Sequence, residues 1–308
     1  MKLTRRDYQG EEDYFRIRQF LREVYLLNNR REMAWQAYRF DYWRWHVNEN
    51  ICQNPLEEVI SIWETQDGQI AGVLNPEGNG EAHLQIHPAY RTTELEEEMI
   101  ALAEKRLARV TPEGKRRLAI FAHQHDQART TLLSKLGYSQ SEWQECQRRR
   151  PVDQAIPDKP LAHGYNVRSL ADREELPARS WASWRAFHPD EPDEKYEGWE
   201  WYPNVQRAPL YRRDLDIVAE TPCGEIAAFC TVWFDDVTRT GSFEPVGTVP
   251  EHQRRGLGTA VMSEGLRRLN RLGATLATVG SEGPAGHGLY NAMGFTEFDA
   301  NHPWIKEF

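Results

Sequence analysis

The sequence predicts an α/β (α+β) fold with two tandem domains, each a mixed, mostly antiparallel central sheet flanked by helices. Three observations lead to this prediction. The chain has 308 residues, which suits two domains of about 150 residues. A proline-rich, charged segment lies near its middle, and the same order of elements stands on both sides of it. We therefore predict a first domain over residues 1–150, a linker over 151–163 and a second domain over 164–308.

The first half begins with an extended segment and two patterned helices. Strands with alternating apolar residues follow, and Asp67-Gly68 predicts a tight hairpin turn between the first two of them. A helix, a strand and a helix complete this half. The predicted helices cover residues 11–27, 32–47, 94–110 and 126–136, and the predicted strands cover 59–64, 69–75, 82–88 and 118–123.

The second half repeats this order after the linker. Pro151, Pro157, Pro160 and Gly164 disfavour helix and strand between the halves. The predicted strands cover residues 165–170, 215–221, 225–234, 242–249 and 275–280, and the predicted helices cover 171–186, 196–211, 256–272 and 286–293. Two copies of one unit explain this repetition better than a single large domain.

The composition excludes several classes of protein. Hydrophobic residues make up 40% and charged residues 28% of the chain, as in soluble globular proteins. No apolar run approaches the roughly 20 residues that span a bilayer, and the first residues do not resemble a secretory signal. The four cysteines have no metal-type pairing, and the net charge of −9 disfavours nucleic acid. We expect a cytoplasmic protein with reduced thiols and no metal, membrane or nucleic-acid partner, whose oligomeric state is open.

One turn in the second half has the properties of an anion site. An apolar strand ends at Val249, and a basic turn with Gly256 and Gly258 leads directly into an amphipathic helix. Glycines let backbone N–H groups approach a ligand, and a helix N-terminus attracts negative charge. Arg254 and Arg255 add charge that suits phosphates. The alternative is an ordinary strand–turn–helix whose glycines serve packing only.

Two segments of the second half resemble the GCN5-related N-acetyltransferase (GNAT) superfamily. Gln253-Arg254-Arg255-Gly256-Leu257-Gly258, after a strand ending in Val-Pro, resembles the motif that binds the pyrophosphate of acetyl-CoA in that superfamily. Residues 288–295 (GLYNAMGF) resemble its L-Y-x-x-x-G-F segment. The resemblance implies that acetyl-CoA is the acyl-donor substrate. It assigns Val246, Gly247, Thr248 and Val249 to the pantetheine arm and acetyl group, and Arg254, Arg255, Gly256, Leu257, Gly258 and Thr259 to the pyrophosphate.

The resemblance implies one catalytic residue, and the reaction also needs a base. Tyr290 stands where the family has a phenol that protonates the leaving CoA thiolate, unless it is only a packed aromatic residue. Glu244, on the strand before the turn, is the candidate base for the ammonium proton, directly or through water. Strand alternation predicts that Ser242, Glu244 and Val246 share one face. The alternative for Glu244 is a structural role at the strand bend or a pair with an arginine.

The acceptor side is predicted in an acidic, aromatic segment over residues 188–202. Residues 151–308 carry −8 of the −9 net charge, so a cationic amine is a suitable partner. By the resemblance, Glu194, Trp199, Trp201 and Tyr202 border the acceptor pocket and contact the amine and its carbon skeleton. The alternative is a solvated acidic loop.

The first half resembles the superfamily only as a degenerate copy. Arg91 stands where the second half has Gln253, but Glu94 and Glu96 replace the two glycines and would repel a pyrophosphate. Leu133 stands where Tyr290 would be. We expect no CoA binding here, and a structural role. His83 and His87 lie on one strand face without a third ligand, so no metal site is predicted.

The sequence therefore predicts an N-acetyltransferase that transfers acetyl from acetyl-CoA to a primary amine by direct attack. The acceptor is a small-molecule amine or a peptide amine, expected to be cationic and otherwise unidentified. The alternative is a non-catalytic, acyl-CoA-sensing or partner-binding protein of the same fold. Transfer of a longer acyl chain is a further alternative that depends on pocket depth.

Overall fold

The computed structural model describes residues 2–157, 160–281 and 284–308, with no side-chain description at 284 and 285. The chain divides into two compact units. We call Met1–Cys146 with Asp299–Phe308 the N-terminal unit, and Gln147–Phe298 the C-terminal unit. In the described part of the chain, no helix is long and apolar enough to cross a membrane.

The N-terminal unit has a sheet with helices packed against it. Its strands are β1 (Thr4–Asp7), β2 (Ser61–Glu64), β3 (Ile70–Asn75), β4 (Glu81–Ile86), β5 (Arg109–Val110), β6 (Arg116–His123) and β7 (Ser139–Gln140), with most of the last strand of the chain, β14 (Glu297–Glu307). Its helices are α1 (Glu11–Leu27), α2 (Ala37–Tyr42), which continues as a π-helix over Trp43–Cys52, α3 (Leu56–Val59), α4 (Thr93–Arg106) and α5 (Gln127–Lys135).

The strand order in this unit is β1-β2-β3-β4-β6-β14. Neighbouring strands are antiparallel except β4 and β6, which pair in parallel only at Glu81 with Ala119 and Ala82 with Ile120. Beyond these two described pairs, the ends of β4 and β6 are no longer hydrogen-bonded to each other. Apolar residues of α4 and α5 pack on this sheet and form the core of the unit.

The C-terminal unit repeats this plan. Its strands are β8 (Glu145–Pro151), which begins in the N-terminal unit, β9 (Asn166–Ser169), β10 (Asp216–Glu220), β11 (Ile226–Asp235), β12 (Thr240–Thr248) and β13 (Leu276–Ser281). Its helices are α6 (Leu176–Phe187), α7 (Tyr202–Val205), α8 (Leu257–Arg271) and α9 (Pro284–Ala292). The strand order is β8-β13-β12-β11-β10-β9. β12 and β13 pair in parallel from Thr240 with Leu276 to Phe243 with Val279.

Burial explains the central position of β11. All ten of its residues are buried. One face packs against the apolar residues of α8, a cluster that we call the α8 core and that includes Val232, Phe243 and Val261. The other face packs against the apolar residues of α6, the α6 core, which includes Leu176, Ala182 and Phe229. α8 contributes Leu257, Val261, Leu266 and Leu269 to its core at helical spacing, and its exposed face is polar. Such continuous burial on both faces is what an apolar run like residues 226–234 predicts.

The predicted α/β class with mostly antiparallel, helix-flanked sheets is confirmed, but several elements differ from the prediction. The helix predicted over 196–211 contains only α7, because Gly198, Pro203 and Pro209 interrupt it. Residues 148–150 of the chain, the Arg-Arg-Arg run beside the predicted linker, lie in the buried strand β8. Residues 152–157 and 160–163 of the predicted linker contain no helix or strand, and residues 158 and 159 lie outside the described residues.

Candidate functional site

The basic turn between β12 and α8 presents its backbone to solvent. Arg254 and Gly256 both have left-handed backbone conformations, with φ of 62° and 78°. Gly256 precedes the first residue of α8, whose opening N–H groups have no partner within the helix. Arg254, Arg255 and Gly256 are exposed. Alternating left-handed residues before a helix N-terminus form a concave set of N–H donors, which suits a phosphate group.

Two glycines near this turn are fixed by close packing. A Cβ atom on Gly258 would stand 3.1 Å from Leu289 Cδ2 and 3.6 Å from Thr248 Oγ1. A Cβ atom on Gly247 would stand 2.3 Å from Phe229 Cζ. Gly258 therefore serves the close contact between α8 and α9.

A β-bulge lies in β12 immediately before the turn. Cys230 pairs with Val246 and Val232 with Phe243, so Glu244 and Pro245 together oppose Thr231. The extra residue reverses the alternation beyond it. Val246 packs with Phe243 in the α8 core, whereas a Cβ on Gly247 would meet the side chain of Ala186 on α6. The expectation that Val246 shares a face with Ser242 and Glu244 is therefore wrong.

Glu244 lies where β12 and β13 stop pairing. Their last described pair is Phe243 with Val279, one residue before Glu244. The carboxylate of Glu244 is half-buried, and its Oε2 lies 3.7 Å from the position of a Cβ on Gly280 of β13. Trp233 Nε1 donates a 2.6 Å hydrogen bond to the backbone oxygen of Glu244. The bulge and this bond hold the carboxylate at the opening between the two strands.

Tyr290 is positioned on α9 with its ring in the α8 core. It is 8% exposed and its ring contacts Phe295 at 6.4 Å between centroids. Burial raises the pKa of the Tyr290 phenol, the charges of Glu244 and Cys230 raise it further, and Arg148 lowers it. The phenol therefore keeps its proton at neutral pH, as a proton donor to a leaving group must.

Residues 174–295 match the model of the acetyltransferase (GNAT) family. This match covers most of the C-terminal unit, and the similarity supports an acyltransferase activity with acetyl transfer as its general reaction. Acetyl-CoA is the acetyl donor that the matched family uses.

Curated relatives are similar to this chain in sequence, and solved structures are similar to it in fold. The mycothiol acetyltransferase of Salinispora arenicola (strain CNS-205) is 27% identical over 252 residues, which cover 76% of this chain and 77% of the relative. That of Arthrobacter sp. (strain FB24) is 24% identical over 245 residues, covering 74% and 71%. A tandem GNAT protein from the clavulanic acid biosynthesis pathway has a TM-score of 0.70 at 13% identity, covering 99% of this chain and 98% of that one. A GCN5-related N-acetyltransferase from Sphaerobacter thermophilus has a TM-score of 0.67 at 16% identity, covering 99% and 95%.

Arg148 bonds the elements around the candidate site, and no sequence signal revealed it. Its Nε donates to Ser281 Oγ at 2.9 Å, and its Nη1 donates to Asn291 Oδ1 at 2.8 Å and to the backbone oxygen of Phe295 at 3.3 Å. Arg148 thus ties the end of β13 to the helix that carries Tyr290. No local pattern shows this role, because the partners are more than 130 residues away.

The four predicted acceptor residues have different environments. Glu194 is exposed, and Trp199 and Trp201 are half-buried against the α6 core. Tyr202 is 3% exposed, and its hydroxyl donates to Asp216 Oδ2 at 2.6 Å inside the unit. Trp201 and Tyr202 contact each other with 5.0 Å between their ring centroids. The structure thus shows Tyr202 in the interior, and Glu194 on the surface.

Asp216 centres a buried network that sequence reasoning missed. It accepts hydrogen bonds from Tyr202 and Tyr211 at Oδ2 and from Arg179 Nε at Oδ1, the last at 3.2 Å. Arg179 and Asp216 are both fully buried, and the Arg179 guanidinium lies 3.8 Å from the ring centroid of Phe229. This network fixes α6 and α7 on the sheet, and these elements border residues 188–201.

The corresponding turn of the N-terminal unit is filled by its own carboxylates. Arg91 donates from Nη2 to both oxygens of Asp126, at 2.7 and 2.8 Å, and pairs with Glu96. Glu96 and Asp126 are buried. The positive charge that could hold a phosphate is therefore already neutralised inside the unit.

Glu77, Glu81 and His83 of the N-terminal unit lie close enough to be considered as metal ligands. One ligand atom from each lies within 4.8 Å of the others. However, His83 Nδ1 accepts a 3.1 Å hydrogen bond from Trp35 Nε1, so the neutral ring carries its proton on Nε2. Glu77 is also paired with Arg39. Binding a metal through Nε2 would require an imidazolate beside a guanidinium pair, so this chemistry does not suit a metal.

Gly283, one of two glycines that replace the family's usual asparagine and alanine before the tyrosine, lies outside the described residues.

Proposed function

We propose that the C-terminal unit transfers an acetyl group from acetyl-CoA to the primary amine of a small, cationic acceptor. One observation carries the proposal. Glu244 lies where β12 and β13 stop pairing, and Arg148 bonds both Ser281 at the end of β13 and Asn291 on the helix that carries Tyr290. The exposed N–H donors of the basic turn follow on the same strand. The candidate base on β12, the candidate acid on α9 and the candidate phosphate site between β12 and α8 thus belong to the same unit.

In the proposed reaction, the turn at residues 254–259 holds the pyrophosphate, and the backbone of residues 246–249 orients the pantetheine arm. Glu244 accepts a proton from the ammonium group, directly or through water. The amine nitrogen then attacks the thioester carbonyl carbon and forms the C–N bond. When the C–S bond breaks, Tyr290 donates its proton to the CoA thiolate. The second proton of the nitrogen, released as the amide forms, returns through solvent to the Tyr290 phenolate, so that every proton has a donor and an acceptor.

The negative charge of the C-terminal half and the names of the curated relatives both favour a small, cationic amine as the acceptor. The second half of the chain carries most of the net negative charge, and residues 190–200 include exposed carboxylates at Asp193 and Glu194. A cationic amine is attracted by such a surface. The curated relatives are named for a small-molecule thiol, mycothiol, so small-molecule amines precede peptide amines in the order of tests.

The test is a CoA-thiol release assay with acetyl-CoA over a panel of polyamines, amino sugars, amino acids and peptides. We expect Tyr290→Phe to lower kcat on the best acceptor by about 10²–10⁴-fold, the usual contribution of general acid catalysis. The matched control is Tyr138→Phe. It removes the hydroxyl that donates to Glu104 in the N-terminal unit and should leave kcat unchanged.

A non-catalytic sensor is the competing function, and the same protein samples separate it. A thermal shift with acetyl-CoA but no thiol release from any amine would favour the sensor. Equal kcat for the wild type and Tyr290→Phe would remove Tyr290 from the mechanism. If acetyl-CoA causes neither a thermal shift nor thiol release, the proposed function fails.

A further inference from the structure

Phe187, the last residue of α6, is a large apolar side chain that stays exposed next to the strand of the candidate base. It is 53% exposed. Its ring contacts Phe229 of β11 edge to face, with 6.2 Å between the ring centroids. A Cβ atom on Gly247 of β12 would stand 2.3 Å from Cζ of the same Phe229 and 3.0 Å from Cβ of Ala186. The end of α6 therefore lies over β11 and β12 at Gly247.

Glu244 lies on the face of the sheet that α6 covers. Phe243, the residue before it, packs in the α8 core, and successive residues of a strand point to opposite faces. The Glu244 side chain therefore points to the α6 side. After the bulge, Gly247 returns to that side, where it approaches Ala186. An amine that gives its proton to Glu244 on this face thus lies close to the end of α6.

Phe187 has two apolar neighbours on this face. Ala186 and Val249 are half-buried and pack against the α6 core, which includes Phe229. Because Phe187 contacts the same Phe229, we call Ala186, Phe187 and Val249 the apolar patch. A single exposed apolar side chain needs no explanation. The apolar patch differs because it accompanies residues 246–249, the strand backbone proposed to orient the pantetheine arm.

The polar side chains of β11 on this face already use their donors. Thr231 and Trp233 point to the α6 side, because Val232 between them lies in the α8 core. Thr231 Oγ1 donates to Asp216 Oδ1 at 3.2 Å, and Trp233 Nε1 donates to the backbone oxygen of Glu244 at 2.6 Å. Each side chain has a single donor, and both are buried. They therefore offer no donor to a hydroxyl or carboxylate group of a polar acceptor.

We infer that the acceptor is a primary amine with an aromatic body, which packs on Phe187 while its ammonium group meets Glu244. This inference rests on the proposed function and narrows its substrate class. An aryl group gains ring contacts and loses contact with water on the apolar patch. The Glu244 carboxylate attracts the ammonium group. An amino sugar, whose body carries hydroxyl groups, gains neither contact.

The test compares phenethylamine with ethanolamine, which share an aminoethyl arm and differ in a phenyl or a hydroxyl group. With the full chain and acetyl-CoA, we expect kcat/KM from thiol release to be at least about tenfold higher for phenethylamine. Phe187→Ala should lower that value at least about fivefold, and should leave kcat/KM for ethanolamine and the KM for acetyl-CoA within about twofold. Phe187→Leu keeps an apolar side chain and should retain kcat/KM for phenethylamine within about threefold.

Phe15→Ala is the matched control. Phe15 is also 53% exposed but lies on α1 of the N-terminal unit, so its loss should change the rate with neither amine. Equal kcat/KM for the two amines, or a loss in Phe187→Ala that ethanolamine shares, would overturn this inference while the proposed function stands. An equally large rise in the KM for acetyl-CoA would also overturn it, because the ring would then contact the donor. No thiol release with any amine would refute the proposed function itself, and this inference with it.

Discussion

Replacing Arg148 by methionine tests how the structure positions Tyr290. The substitution keeps an apolar stem and removes the guanidinium that bonds Ser281, Asn291 and the backbone of Phe295 at 2.9, 2.8 and 3.3 Å. A hydrogen bond from a charged donor contributes about 1.5–3 kcal/mol. Removing the buried charge also recovers part of its desolvation cost. We therefore expect the free energy of unfolding to fall by roughly 2–4 kcal/mol.

The effect on catalysis should appear in kcat. Without the guanidinium, α9 loses its tie to β13, and a displacement of about 1 Å at a reacting group can lower the rate by about 10²-fold. The KM for acetyl-CoA should stay within about threefold, because the turn at residues 254–259 follows a different strand. Steady-state thiol release and urea unfolding measure the two effects on the same variant.

Arg168→Met is the matched control for this substitution. Arg168 also makes several hydrogen bonds in the C-terminal unit, to Glu175 and Glu220 at 2.6–3.0 Å, but it lies on β9 and bonds no residue of α9. It should lower stability with little change in kcat. If Arg148→Met loses no more turnover than Arg168→Met, Arg148 does not position the catalytic helix and the reasoning is refuted.

Three further predictions concern the turn, the acid and a buried carboxyl. Gly258→Ala brings a methyl group to 3.1 Å from Leu289, so the KM for acetyl-CoA should rise at least about tenfold, and an unchanged KM would make this glycine a packing residue only. Because the pKa of Tyr290 is raised, kcat should not fall between about pH 8 and 10, whereas a decline that Tyr290→Phe abolishes would contradict that shift. The pKa of Glu32 is raised from 4.5 to about 8, so the folded chain keeps a proton that the unfolded chain releases. Stability should therefore fall as pH rises from 4.5 to 8, by up to roughly 5 kcal/mol relative to Glu32→Gln, and parallel urea-unfolding profiles of the two proteins would exclude this.

The sequence could predict the parts of the site that depend on local patterns. The turn at residues 253–258 combines glycines, arginines and a following amphipathic helix within one short segment. Its backbone geometry, with left-handed residues at Arg254 and Gly256, agrees with that interpretation. The fold class could be predicted because the order of strands and helices also follows from local sequence patterns.

The parts that could not be predicted depend on contacts between distant residues. Arg148 looks like one member of a charged run, and only the packing of β8 shows that it bonds Ser281 and Asn291. Arg179 and Asp216 likewise have no shared pattern in the sequence, although they form a fully buried pair. Long-range hydrogen bonds of this kind have no periodicity along the chain.

Pro245 is the sequence signal of the bulge in β12. Simple alternation assigned Val246 to the face of Glu244, yet two residues oppose Thr231 and reverse the pattern. Pro245 marks the position, because proline cannot donate a ladder hydrogen bond and is confined to edges and bulges of sheets. A proline inside an otherwise regular strand should therefore interrupt the assignment of faces.

A single-turnover experiment tests the central claim most directly. The chain, saturated with acetyl-CoA, is mixed with the best amine from the panel, and mass spectrometry follows both the amine and the protein. The account predicts one acetylated amine per bound acetyl-CoA, no acetyl group on the protein, and product formation at least about 10²-fold slower in Tyr290→Phe with acetyl-CoA affinity retained. An acetylated protein intermediate, or equal rates in the two proteins, would contradict direct transfer assisted by Tyr290.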